Sequence, residues 1–275
     1  MQLLNAFTGK IFEILFFPFR GLDPWFGMVF ISLLTGLLML FIYSRTSNQA
    51  GIKAVKDRIK AHLLEIRLYQ DSLPIQLKAQ GRIVLANFKY IAYSAKPMLV
   101  MILPLFLILA QLNLWFGSQS LQPGEVVLLK VKLEAGRNPM DVVITWEQAS
   151  GFSMETPPLR LEEEREIDWR LRAMGKGSHH LNFRLNDQLF TKTIAVDQGR
   201  LSPVSPLKIR RNILKELLHP GEKPFPPELP VTSVEITYPG LRLKAFGIRL
   251  HWLVAYFLLS IVFGFVLKRP FKVEI

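Results

Sequence analysis

The chain has 275 residues, no cysteine, an apolar half and a formal net charge of +12. That length allows one large domain or two modest ones, and the missing cysteine excludes disulfides and thiolate metal sites. The cationic excess is not a nucleic-acid footprint, because it is localised: ten Lys/Arg oppose three Asp/Glu in residues 45–96, whereas residues 117–248 carry a net of only +2.

Residues 1–24 open with MQLLNAFTGKIFEILFFPFR. Leu3, Leu4, Phe7, Ile11, Leu15 and Phe16 recur at helical spacing, and Glu13 and Pro18 interrupt what would otherwise resemble a signal peptide. An amphipathic helix lying on the outer membrane surface is expected. A charge-free run follows at 25–44, WFGMVFISLLTGLLMLFIYS, long enough to cross about 30 Å of hydrocarbon.

Residues 45–96 are basic. Ile52, Val55, Ile59, Leu63 and Ile66 make one apolar stripe, and Lys53, Lys56, Arg58, Lys60 and Arg67 supply the charge. Ser47 or Asn48 caps the start of this helix. After the Asp71-Ser72 turn and Pro74, a second helix from about Ile75 to Ser94 has Leu77, Val84, Phe88 and Ile91 as its stripe, with Gly81 in the same row. Two such helices predict a short antiparallel coiled-coil hairpin. A second apolar run occupies 97–116, and a third lies at 247–267, ahead of a basic tail at 268–275. Positive charge beside the runs puts the hairpin and tail in the cytosol, and the N-terminus and residues 117–246 outside.

Residues 117–205 alternate apolar and polar in segments such as VVLLKVKLE and LFTKTIAVD, separated by turn signals at Gly136, Gly151, Pro157-Pro158, Gly175 and Asn186-Asp187. This predicts a β-sandwich of six to eight strands, immunoglobulin-like in architecture only, with Trp146 and Trp169 in its core. Residues 206–246 read as one amphipathic helix over 207–219, then a Pro-rich extended spacer, GEKPFPPELP, and a further strand, VTSVEITYP. The fold class is therefore membrane α-helical, with three spans and a helical hairpin, carrying an inserted all-β domain.

Nothing here has the pattern of a catalytic or cofactor site. No nucleophile elbow, Walker loop or HExxH motif occurs, and the adjacent His179 and His180 of a strand point to opposite faces. No carboxylate lies inside an apolar run, which argues against an ion-coupled transporter. The polar residues of the runs are Ser32 and Thr35, three apart on one face, Gln111 and Asn113, and Ser260. They either glue helices by hydrogen bonds or line a weakly hydrophilic groove.

The order of parts from Trp25 to Phe116, with SNQ preceding a Lys-rich helix and a return into KPMLVMILP, resembles the YidC/Oxa membrane-protein insertase superfamily. The likeness is to its minimal members, such as the insertase subunit of the endoplasmic reticulum membrane protein complex and archaeal relatives. The resemblance implies a non-enzymatic factor that needs no nucleotide. It would move polar segments of client membrane proteins through an intramembrane groove and meet nascent clients, ribosomes or anionic lipids at the basic hairpin. A bacterial inner (plasma) membrane is the expected location. The alternative is a membrane scaffold or receptor whose outer β-domain binds a partner protein.

Overall fold

The computed structural model describes residues 2–147, 151–185, 188–245 and 247–271. They fall into two compact units, one built from residues up to Met28 with Leu107–Val254, the other from Val29–Phe106 with residues from Ala255 onward.

The first unit is sheet-rich and its strands pair antiparallel. Its main sheet is ordered β3 (Phe152–Met154), β5 (Glu166–Ala173), β1 (Val126–Leu133), β9 (Val231–Ile236), β8 (Leu207–Ile209), with β4 (Leu159–Leu161) also on β5. A three-stranded sheet joins β2 (Ile144–Glu147), β6 (Gly177–Leu185) and β7 (Gln188–Val196). Alternation places every second side chain on one face, so register aligns apolar rows. Leu129 stands opposite Trp169 on one side and Ile236 on the other, and Val131 opposite Ile167 and Val234. These residues share one buried core with Leu181, Phe183, Phe190 and Ile194 of the smaller sheet, and the Trp169 and Phe183 rings lie 5.8 Å apart. Trp169 is fully inside, whereas Trp146 is half-buried against the same core. The expected turn at Asn186-Asp187 lies outside the described residues.

Residues 206–246 correct the expected organisation. The helix predicted over 207–219 shrinks to α5 (Ile213–Leu218), started by the Asn212 side chain accepting from the Lys215 N–H at 3.1 Å. Leu207–Ile209 instead takes the free edge of β9. The Pro-rich stretch is core rather than spacer: it buries Phe225 and Leu229 completely, with Phe225 edge-on to Phe190 at 5.7 Å. Prolines block regular pairing but leave an extended chain free to insert side chains, so a polar, breaker-rich composition concealed two anchors.

One position breaks the apolar row of β7. Lys192 lies opposite Leu181, between Phe190 and Ile194, with no exposed surface. Its ammonium donates to the Ser205 carbonyl at 2.7 Å and is paired with the Glu222 carboxylate, which also accepts from the Thr193 N–H at 3.1 Å. Burial pushes the Lys192 pKa down, and the Glu222 charge opposes that.

Helix α1 (Gln2–Phe16) belongs to this unit. Phe12 and Phe16 point inward, with Phe16 4.8 Å from the Trp115 ring and 5.5 Å from Phe116. The predicted stripe is thus divided: Leu3, Leu4, Phe7 and Ile11 are exposed, Leu15 is half-buried, and Phe16 packs inward together with Phe12, which the stripe did not include. A short ribbon of β10 (Arg242–Ala245) and β11 (Ile248–His251) ends the unit.

The second unit is helical. α2 runs Pro24–Thr46 and α4 runs Leu73–Phe116 without interruption, through Pro97 and Pro104. Both are long and apolar enough to cross a membrane, and only 39% and 33% of their most apolar windows are buried. A core helix of a soluble globule would be covered on most sides, so these surfaces call for an apolar surrounding. α6 (Trp252–Leu267) is apolar but has 16 residues, because Leu250 and His251 are spent in β11.

Two outcomes are expected. A fragment of residues 119–197 lacks β9, the strand between β1 and β8, and should be disordered by circular dichroism, while 118–245 should give a soluble β-type spectrum. Lys192→Met alone should cost about 3–5 kcal/mol in denaturant unfolding by stranding Glu222, and Lys192→Met with Glu222→Gln should recover most of it.

Candidate functional site

Two features of the helical unit carry functional information: a set of buried hydroxyls between α2 and α6, and the surface of the hairpin made by α3 (Gln49–Leu68) and the start of α4.

On α2, Ser32 and Thr35 are fully buried, and α6 brings Tyr256, also fully buried, and Ser260. Tyr256 interacts with both Thr35 and Ser260. Yet none of the four hydroxyls closes a hydrogen bond of standard geometry among the described residues. Near the end of the same helix, Ser44, Thr46 and Ser47 satisfy themselves on the carbonyls of Phe41, Ile42 and Tyr43 at 2.6–2.8 Å. A helical serine or threonine has that local option, and Ser32 and Thr35 do not take it. Thr35 faces Tyr256 instead, and the Ser32 hydroxyl is left in an apolar environment, where an unmade bond is costly.

Glycine makes the approach possible. A Cβ added at Gly36 would lie 3.3 Å from Phe263 Cβ and 3.6 Å from both the Gly264 nitrogen and the Ser260 oxygen. Small residues let helix backbones come close where no hydrophobic force drives association.

Of the polar residues singled out in the sequence, Ser32, Thr35 and Ser260 are brought together. Gln111 and Asn113 are not: they belong to the sheet-rich unit, where the Gln111 amide donates to Thr8 Oγ1 at 3.0 Å. The Asn113 carbonyl accepts from the Gly117 N–H at 2.9 Å, closing the end of α4. Tyr256 was not singled out, although its position four residues before Ser260 puts both on one helix face.

The hairpin comprises α3 (Gln49–Leu68) and the start of α4. Asn48 caps α3 by accepting from the Gly51 N–H at 2.9 Å, as its residue type predicts. Pro74 sits in the first turn of α4, where no amide donor is needed. The base is a cluster of Leu40, Tyr43 and Ile52 with Tyr90, Tyr93, Met101, Leu267 and Phe271 around it. Higher up, Arg82 meets Glu65 at 3.8 Å.

The predicted stripe of α3 is inward at Ile52 and Val55 and half-buried at Ile59 and Ile66, but exposed at Leu63. On α4 the packed face is Ala79, Ile83, Ala86, Tyr90 and Tyr93 instead of the predicted one. Leu77, Val84, Phe88 and Ile91 are 55–66% exposed, and a Cβ at Gly81 in the same row would meet nothing within 4 Å. α4 is apolar on two faces, and periodicity alone cannot say which one packs. Lys53, Arg58, Lys60 and Arg67 are exposed and Lys56 is half-buried. Lys60 has a loose pair with Asp57 at 3.8 Å, a contact of little energetic weight on such an open surface.

In comparison with known proteins, the chain matches no family model, no curated protein and no solved structure.

Gly36→Leu should force α2 and α6 apart and lower the stability of the purified protein in detergent by about 1–3 kcal/mol. Gly36→Ala should stay within about 1.5 kcal/mol of the parent in the same thermal melt, because only a contact of a few tenths of an ångström must relax.

Proposed function

We propose that the protein is an insertase-like factor for membrane proteins, of the YidC/Oxa type. In this reading α2, the apolar part of α4 and α6 are three spans, the hairpin and C-terminus are cytosolic, and the N-terminus and the sheet-rich unit lie outside a bacterial inner membrane. The sheet-rich unit is then an immunoglobulin-like sandwich inserted between the second and third spans. Support for the orientation comes from the net +7 of residues 45–96.

The observation that carries the functional reading is the uncovered row of Leu77, Val84, Phe88 and Ile91 on the hairpin. A hairpin that only linked two spans would hide its apolar residues in its own seam. This one exposes a helical row of large apolar side chains, with Lys78 and Lys89 also exposed on the same helix. Such a surface suits the apolar segment of a client before it enters lipid, helix against helix. The hydroxyls of Ser32, Thr35, Tyr256 and Ser260 supply the polar partners by which a passing polar segment would be helped between α2 and α6. Polar residues crossing lipid otherwise cost several kcal/mol. The exposed cations of α3 add attraction for anionic lipid or an acidic ribosomal surface, each worth about 1 kcal/mol near an anionic membrane.

Site-specific photo-crosslinkers at Leu77, Phe88 and Ser32 test this. Nascent membrane proteins should cross-link at all three positions, and replacing Lys53, Lys56, Lys60 and Arg67 by Gln should reduce the yield at least several-fold without lowering the abundance of the protein. Cross-links confined to lipid and to one stable partner of the sheet-rich unit would instead identify a scaffold.

A further inference from the structure

The β10–β11 ribbon carries charge that the functional reading above does not use. Residues directly opposite in an antiparallel pair share a face. The register Arg242↔His251 and Lys244↔Arg249 therefore gathers four basic side chains on one face, and Leu243↔Leu250 falls on the other. Lys244 and Arg249 stand directly opposite each other, an arrangement that like charges disfavour. Residues 241–251 contain no carboxylate to compensate them. Arg242, Lys244 and Arg249 are exposed, and their side chains make no hydrogen bond or ion pair among the described residues. His251 accepts the Leu253 N–H on Nδ1 at 3.2 Å, which puts the proton of a neutral ring on Nε2.

Arg242 and Lys244 also line a surface pocket of about 390 Å3, and Arg200 lines it from the segment after β7. Gln119 and Gln122 add amide donors to the wall. Its two carboxylates are engaged: Asp23 accepts the Trp25 N–H at 3.0 Å, and Asp197 pairs with Lys176 at 2.7 Å. The wall thus has cationic donors in surplus, and its complement is an anion with several acceptor oxygens.

The surroundings favour a lipid phosphate over an acidic protein. Pro24, the first residue of α2, belongs to the pocket wall, and His251 directly precedes α6, so the site lies where two apolar helices begin. Trp25, a residue type favoured at membrane interfaces, donates its indole N–H to the Lys244 carbonyl at 2.7 Å. The sequence of the ribbon turn is Ala245-Phe246-Gly247-Ile248, apolar where a turn in water is usually polar, and Ile248 is 62% exposed. An apolar tip behind a collar of cations suits an element that dips into the headgroup layer. On the outer side of a span such cations work against the proposed orientation, which calls for a role of their own.

We propose that the ribbon and its pocket hold the phosphate of an anionic phospholipid of the phosphatidylglycerol type. Arg200, Arg242 and Lys244 donate to its oxygens, and the turn dips toward its acyl chains. Such a site rests on the topology proposed above, with the sheet-rich unit outside the membrane, and not on client handling.

The test uses the full chain in nanodiscs of phosphatidylglycerol or phosphatidylcholine, each carrying a photoactivatable group beside the phosphate, with adducts mapped by peptide mass spectrometry. Adducts on residues 241–251 should be about tenfold or more as abundant with phosphatidylglycerol, since each cation near an anionic surface contributes about fivefold. Combining Arg242→Gln, Lys244→Gln and Arg249→Gln should remove that preference and leave adducts on residues 45–96, the internal reference, unchanged. The three side chains are exposed, so the variant should melt no lower than the parent. An excess of inorganic phosphate at matched ionic strength should not displace the lipid; displacement would mark a soluble-anion site and overturn the lipid assignment. Equal adducts from the two lipids, the result expected of a face that meets an acidic protein, overturn it as well, and so does a preference that survives in the folded triple variant. Gln70→Cys, in a chain with no other cysteine, reports topology separately. Labelling from the cytosol alone, with no lipid preference at the ribbon, sinks this site and spares the reading above, whereas labelling from outside removes both.

Discussion

A lysine with no exposed surface governs the organisation of the sheet-rich unit. Removing an ammonium from water costs several kcal/mol unless a counter-charge and hydrogen bonds replace the lost hydration. For Lys192 those come from Glu222 and the Ser205 carbonyl, both outside its own sheet. Glu222 accordingly sits at the open edge of the smaller sheet, against the middle of β7, and the Pro-rich chain that follows it delivers Phe225 and Leu229 to the core. β9 follows directly and completes the larger sheet between β1 and β8. Lys208, pushed down in pKa by burial and donating to the Thr191 carbonyl at 2.6 Å, lines the same region. A residue that would be an error by hydrophobic patterning serves to attach the C-terminal third of the unit to the rest.

The helical unit follows a different economy of polar groups. The hydroxyls of Ser32, Thr35, Tyr256 and Ser260 are buried without closing a hydrogen bond of standard geometry, and the unit's large apolar side chains are in many places uncovered. In a soluble protein both features would be penalised. Between helices surrounded by lipid, an uncovered Leu or Phe costs nothing, and a few unsatisfied hydroxyls are a small expense against the packing allowed by Gly36.

The sequence made the main divisions legible because each rests on strong local physics. Long charge-free runs mark α2 and the end of α4, period-two alternation marks β1, β5, β6 and β7, and Asn48 marks the start of α3. What stayed hidden depended on competition between distant parts. Leu207–Ile209 has helical texture but became a strand because β9 left an edge open. The Leu77–Ile91 row and the Ala79–Tyr93 row of α4 have the same period, and only the position of the base cluster around Tyr43 and Ile52 decides between them. Gln111 reads as a span residue and stands in the other unit, since α4 continues beyond its most apolar stretch. Tyr256 escaped notice because a tyrosine in an apolar run scores as aromatic before it scores as polar.

The β10–β11 ribbon has an effect beyond its own four pairs of residues. By holding Leu250 and His251 in strand geometry, it leaves α6 with 16 residues, about 24 Å of helix at 1.5 Å per residue. Under the proposed three-span reading this falls short of a hydrocarbon layer of about 30 Å. In that reading the shortfall would be a hydrophobic mismatch, to be met by local thinning of the bilayer with Trp252 and Lys268 at its two faces. The side of the protein bearing α6 would then be the place where the barrier to a polar segment is lowest.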